Sequence, residues 1–157
     1  MKTRIGVSDE MLAFVGDGGV GGEDWPTAPI GLGLHLADGT MVIDPHPSDS
    51  DTLAAGDVVL VVAAAACRRI FGHVPATSDE WHLPSAIRTV ALAIRDCPLP
   101  EPARSTLRLA KSIELLCAVM TRLAEGSLVP ARGGGELSEG DAVRILAARR
   151  LVDERWR

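Results

Sequence analysis

Aromatic side chains are nearly missing from this 157-residue chain: Phe14, Phe71, Trp25, Trp81 and Trp156 are present, and there is no Tyr. Pockets that grip sugars or bases by stacking need several rings, so the composition argues against one. Positive charge is scarce in the first 67 residues, where Lys2 and Arg4 stand against ten Asp and Glu. The remainder holds 14 Lys and Arg against 11 acidic residues, and the whole chain carries a formal charge of -5. An acidic chain is poorly suited to binding a nucleic-acid backbone. Long apolar runs are also lacking. The longest, residues 58–67, stops at Arg68 and Arg69, well short of the roughly 18 residues a membrane span needs. The opening MKTRIGVSDE has no apolar stretch of the signal-peptide kind. Cys67, Cys97 and Cys117 are odd in number, far apart and set among apolar neighbours. They read as buried reduced thiols, so a cytoplasmic protein with no membrane contact is expected.

What is present changes texture near residue 63. Residues 1–62 read as short strands and turns, and eleven of the 16 glycines fall within residues 1–72. Residues 30–37 and 40–44 flank Asp38-Gly39, a pair suited to a two-residue type I′ hairpin. Leu34, Leu36, Met41 and Ile43 supply its apolar content, with Val42 on the other face. Residues 3–7, 11–15 and 57–62 are further strands; in the last, the unbroken run Val58 to Val62 predicts burial on both faces.

From residue 63 the periodicity turns helical. Residues 63–71 form a short helix with Gly72 as its stop. Residues 84–96 carry the stripe Ile87, Val90, Ala91 and Ile94 and end before Cys97-Pro98. The longest helix, residues 102–125, places Leu109, Leu116 and Leu123 on one line with Ile113 and Met120 beside it, and Leu107, Cys117 and Ala124 widen the face. So broad an apolar face fits either a helix buried within one protomer or a helix shared between a core and a partner. Residues 127–137, with three successive glycines, read as a linker. Ser138 and Asp141 then open a last helix through Trp156, with Val143, Leu146, Ala147 and Leu151 on one face.

Motifs that carry chemistry are few. Gly16-Asp17-Gly18-Gly19-Val20-Gly21 fits the dinucleotide fingerprint, which requires a helix to open at the third glycine. Glu23, Asp24, Pro26 and Pro29 follow instead, so these read as turn glycines. His35, Asp44, His46 and Asp49 are the nearest approach to a metal set, although an alternating strand places polar residues on its wet face by default. His73 and His82 read as solvated loop histidines. Arg104, Arg108 and Lys111 share a helix face that either clamps an anion or is simply the solvated side. No nucleophile with a supporting base stands out, and a non-enzymatic protein is expected.

Three segments carry a family resemblance: LPSAIRTVALAIRDCPLP, ARSTLRLAKSIELLCAVMTRL and LSEGDAVRILAARRLVDERW. The middle one has Arg108-Leu109 before a Lys-x-x-Glu-Leu-Leu core at Lys111 to Leu116; the last has Arg144-Ile145-x-Ala147-Ala148-Arg149-x-Leu151-Val152. Together residues 84–156 resemble AraC-type bacterial transcription regulators, in the stretch that joins their effector domain to their DNA-binding domain. Both helix-turn-helix units of that family are missing, so specific DNA contact is expected only through a domain not in this chain.

The resemblance implies an α+β fold: a small, shortened cupin or jelly-roll-like antiparallel β portion followed by an antiparallel helical dimerisation portion. Residues 1–83 are then a β-rich sensor ending in a short helix, and 84–126 the dimerisation helices. Residues 127–137 are a linker, and 138–157 a helix leading toward the absent DNA-binding domain. A homodimer is implied, with Leu109, Ile113, Leu116, Met120 and Leu123 at its interface. A small-molecule effector is implied too, for which His35, His46, Arg68, Arg69, Arg104 and Arg108 are the candidate contacts; the four arginines are compatible with an anion. No metal and no cofactor is assigned. Two alternatives remain, an effector-free dimerisation module and a cupin-like metal enzyme using His35 and His46.

Overall fold

In the computed structural model, which describes residues 1–21, 24–47, 51–131 and 139–155, six strands form one open antiparallel sheet. Its order is β1 (Thr3–Ser8), β2 (Met11–Val15), β5 (Val58–Ala63), β3 (Pro29–His35), β4 (Thr40–Asp44) and β6 (Asp79–His82). The five helices of the described residues are α1 (Asp51–Ala54), α2 (Ala64–Phe71), α3 (Ser85–Arg95), α4 (Ala103–Glu125) and α5 (Glu139–Arg155). The fold is α+β. None of these helices is long and apolar enough to cross a membrane.

The unbroken valine run explains the sheet's centre. β5 pairs with β2 from Met11↔Val62 to Val15↔Val58 and with β3 from Pro29↔Ala63 to Leu34↔Val58, and all six of its residues are buried. A strand covered on both faces has no wet side, so its residues do not alternate. On one face, Ile5, Ala13, Leu60, Leu32 and Ile43 form a cross-strand row, and Val15, Val58, Leu34 and Met41 form the next. Ile87, Ala91 and Ile94 of α3 and Leu115, Leu116, Val119 and Met120 of α4 join these in the main core. Leu12, Phe14, Val59 and Val61 belong to the other face, where Leu53 of α1, Val20 and Trp25 cover them.

Two glycines set the depth of α1. A Cβ at Gly31 would lie 2.6 Å from Leu53 Cδ2, and one at Gly33 would lie 3.2 Å from Leu53 Cδ1. Their hydrogens leave the room that Leu53, fully buried, occupies. Burying such a side chain stabilises by about 1.5–3 kcal/mol. No periodicity marks this helix in the sequence, because four residues are too few to show a period.

The β3–β4 connection differs from the expected two-residue turn. Its loop is residues 36–39, and of these only Gly39 has a positive φ, at 68°. A type I′ turn needs positive φ at both central residues. The pairing with β4 stops at His35↔Thr40, and Leu36, 1% exposed, lies in the connection with its N–H donating to Asp57 Oδ2 at 2.8 Å. The 16–21 glycines lie in the connection between β2 and β3, where the described residues form no helix. Lys2 ties that loop down, its Nζ donating to Gly16 O, and burial pulls its ammonium below the usual lysine range.

Helix ends follow the sequence closely. α2 and α4 stop at Gly72 and Gly126, with φ of 78° and 66°, the left-handed region open to glycine. Arg108 of α4 joins α3 to α4: its Nε and Nη2 donate to the carbonyls of Ile94 and Arg95 at 2.9 and 3.2 Å. These belong to the last turn of α3, where helix carbonyls lack partners. Residues 127–131, expected to open a linker, pack against the fold. Leu128 is buried, Trp81 bridges to Pro130, and Ala131 N–H donates to Glu80 O at 2.9 Å, so this stretch closes the outer edge of β6. Residues 132–138, including the Ser138 cap, lie outside the described residues, as does Trp156. Val143, Ile145, Leu146, Leu151 and Val152 of α5 are all exposed.

Candidate ligand cleft beside β6

Pro75 and the glycine stop at Gly72 end α2 and send the chain across to β6. β6 is a polar strand, Asp-Glu-Trp-His, where the sequence alone suggests a loop. It forms because β4 offers a free edge, pairing Thr40↔His82, Met41↔Trp81, Val42↔Glu80 and Ile43↔Asp79. That register puts Trp81 in line with Met41 and Leu34, on the sheet face that α4 covers. Side-chain bonds hold the approach to β6: Thr77 Oγ1 donates to Asp79 Oδ2 at 2.7 Å, and Ser78 Oγ to Asp44 Oδ1 at 3.1 Å.

Between these parts lies a cleft of about 150 Å³, lined by Ile43, Asp79 and Trp81 of the sheet, loop 73–77, and Leu123 of α4. Two of its lining side chains carry a buried nitrogen with no hydrogen-bond partner, Trp81 Nε1 and His73 Nε2. Each such atom costs about 1–3 kcal/mol when nothing replaces the water it has lost. His73 is therefore half-buried, and His82 lies on a strand; neither is the solvated loop histidine expected.

The six ligand candidates do not meet in one place. His35 ends β3 and shares a cross-strand row with Thr40 and His82, and its Nε2 is also buried without a partner. His46 is exposed beyond β4, its N–H donating to Asp44 Oδ1. Arg68 is exposed on α2, and Arg69 holds Glu10 through two hydrogen bonds of 3.1 and 2.6 Å. That bond to Arg69 draws the Glu10 carboxyl below its ordinary range. Arg104 Nε donates to Leu99 O at 2.8 Å, and Arg108 caps α3 as above. Arg108 also lines a separate cleft of about 290 Å³ with Arg4, Glu101 and Ser105. The metal set is likewise dispersed. His35 and Asp44 stand four rungs apart along the paired strands, about 13 Å, and Asp49 is outside the described residues. Among the described residues no three His, Cys, Asp or Glu side chains converge.

The interface candidates divide by depth. Leu116 and Met120 are 5% and 0% exposed and belong to the protomer's own core; Leu109 and Leu123 are half-buried against it. Ile113 alone points outward, at 44% exposure. Around it the outward stripe of α4 is Ala110, Glu114, Cys117, Thr121 and Ala124. The broad apolar face expected from the sequence includes Cys117 and Ala124; the structure divides it, with Leu116 and Met120 turned inward and Cys117 and Ala124 outward. Cys117 is exposed, contrary to expectation, while Cys67 and Cys97 are buried. Burial pushes the Cys67 thiol up.

No protein-family model matches the chain, nor does any curated protein or solved structure.

Proposed function

We propose that this chain is the sensing and dimerising portion of an AraC-type transcription regulator, non-enzymatic and cytoplasmic, whose DNA contacts come from a domain outside it. The outward stripe of α4 carries the reading. Over four turns it offers Ala110, Ile113, Cys117, Thr121 and Ala124 to solvent, with Glu114 as its charged member. Small residues let a second helix approach to about 8 Å. An antiparallel pairing centred on Cys117 sets Ile113 against the partner's Thr121 and Ala110 against the partner's Ala124, a self-complementary two-fold contact. The six-stranded sheet then serves as the shortened jelly-roll-like sensor, and the cleft beside β6 touches α4 through Leu123.

The test is sedimentation equilibrium of the wild type and of Ile113→Glu. Ile113 is exposed, so its replacement leaves the fold intact; Leu116→Glu would bury a carboxylate in the core and measure only unfolding. The wild type is expected to dimerise, Ile113→Glu to stay monomeric with an unchanged Tm, and mild oxidation to cross-link two copies through Cys117. A wild type that is monomeric at every concentration, or an Ile113→Glu variant that dimerises equally well, rejects the reading.

A further inference from the structure

Among the clefts of the described residues, three near the sheet differ in what their walls lack. The cleft between β1 and α4 holds Arg4, Arg108 and Glu101, but two donors of Arg108 already serve the carbonyls of α3. The cleft among His82, Arg122, Ser127, Val129, Val143 and Leu146, about 240 Å³, is closed by the otherwise exposed side chains of α5. Of these three, the cleft beside β6 is the one lined by two side chains whose buried nitrogens want partners, His73 and Trp81.

Its size, charge and polarity each narrow the ligand. An enclosed cavity of about 150 Å³ accepts a benzene-sized molecule, and this cleft, of the same volume but open to solvent beside Thr77 and Asp79, admits one as well. Apart from His73, the one titratable side chain lining this cleft is that of Asp79, and no Lys or Arg lines it. An anion would meet a carboxylate and no countercharge, which separates this cleft from the arginine-based anion contacts expected from sequence. The indole N–H is a donor only, so it asks for an acceptor; imidazole Nε2 pairs with either a donor or an acceptor. Ile43, Val74, Pro75 and Leu123 supply apolar walls.

From this geometry we infer that the cleft binds a neutral, flat heterocycle or cyclic amide of about six or seven heavy atoms. Both nitrogens are buried from solvent, so the Trp81 ring and the His73 loop turn toward the cleft on binding: the ligand's carbonyl or ring nitrogen then accepts from Trp81 Nε1, and a second polar atom pairs with His73 Nε2. This names the effector class of the sensing portion and, as regards the ligand being an effector, rests on the proposed function. As a binding site it stands on the cleft alone.

The experiment follows the tryptophan indole N–H signals by two-dimensional NMR while 2-pyridone is added to the full chain, with benzoate and toluene as probes of similar size. Trp81→Phe assigns the Trp81 signal. Saturable movement of that signal with 2-pyridone is expected, with benzoate and toluene at least tenfold weaker. Trp81→Phe and His73→Phe should each weaken 2-pyridone, followed by thermal shift, roughly two- to tenfold, the effect of one neutral hydrogen bond. His73 lies on a loop, so its variant keeps the test decisive if Trp81→Phe misfolds. An unmoved Trp81 signal, benzoate binding as tightly as 2-pyridone, or undiminished affinity in the His73 variant overturns the inference. The dimer is measured separately by sedimentation. A monomer that binds 2-pyridone keeps the site and rejects the dimer, whereas a dimer indifferent to it rejects only the site.

Discussion

The seat of α1 on the sheet can be tested by a double-mutant cycle between Leu53 and Gly31. Leu53 is fully buried, and truncating such a residue to Ala costs about 2–5 kcal/mol, transfer and cavity together. Gly31→Ala brings a methyl to 2.6 Å from Leu53 Cδ2, 3.1 Å from Leu53 Cδ1 and 3.1 Å from Pro47 Cβ. Overpacking of that kind costs about 1–3 kcal/mol, offset by about 0.5–1 kcal/mol from replacing Gly inside a strand. In the double variant both Leu53 contacts vanish and the new methyl fills part of the cavity. The pair should therefore cost at least about 1 kcal/mol less than the two single changes added together. Gly33 supplies the control. Its Cβ would meet Leu53 O at 3.2 Å and Leu53 Cα at 3.4 Å, backbone atoms that Leu53→Ala leaves in place, so its coupling should be smaller. Urea unfolding followed by far-UV circular dichroism gives each value from the midpoint and slope. Additivity of Gly31 and Leu53 within about 0.5 kcal/mol, or equal coupling for Gly33, refutes this account of α1.

Three other changes test separate joints. Arg108→Met removes both guanidinium bonds to the last turn of α3 and should cost about 1–2 kcal/mol, read as a lowered Tm with unchanged circular dichroism; an unaltered Tm refutes its role as a cap. Glu10→Gln removes the fork to Arg69 that lowers the Glu10 pKa. A lowered carboxyl stabilises above its unfolded pKa and stops doing so as pH falls through its folded one, so the stability gap between wild type and variant should be present at neutral pH and vanish in acid; a gap that widens in acid contradicts the pairing. Native thiol labelling in dilute protein should modify Cys117 quickly, while Cys67 and Cys97, both buried, react only as fast as the chain unfolds. Three equally fast thiols would contradict their burial.

Much of the sheet and both long helices were legible because their signals are local. The run Val58 to Val62 announced a strand covered on both faces, and Gly72 and Gly126 marked two helix ends by the φ they adopt. What escaped depends on distant partners. β6 is Asp-Glu-Trp-His, with no apolar alternation, and exists because β4 lies on one side and residues 129–131 on the other. The β3–β4 turn is longer than its Asp38-Gly39 signal because Leu36, buried and bonded through its N–H to Asp57, 21 residues away, belongs to the connection. On α4 the period was right and the direction incomplete. Ser112, Leu115, Leu116, Val119 and Met120 form the inward line, which leaves Leu109 and Leu123 at its margins and Ile113 outside. Periodicity gives the angle between stripes and not which stripe meets the sheet. The orphaned nitrogens of His73 and Trp81 had no sequence signal at all, since both residue types find partners in most loops and strands.

The two proposals meet at Leu123. It lines the cleft beside β6, while Thr121 and Ala124, its near neighbours on the same helix turn, belong to the outward stripe. A ligand seated against Leu123 presses on the end of α4, whereas Leu115, Leu116, Val119 and Met120 anchor the preceding turns in the core. α4 is thus held firmly along its middle and contacts the candidate ligand near its C-terminal end, where Gly126 closes the helix. Occupancy alone moves nothing: the ligand shifts the monomer–dimer balance only if it binds one state better than the other. A tenfold preference corresponds to about 1.4 kcal/mol, comparable to one hydrogen bond to Trp81 Nε1. A displacement of the Leu123 turn that breaks that single bond in one state is therefore enough to couple the cleft to the α4 surface.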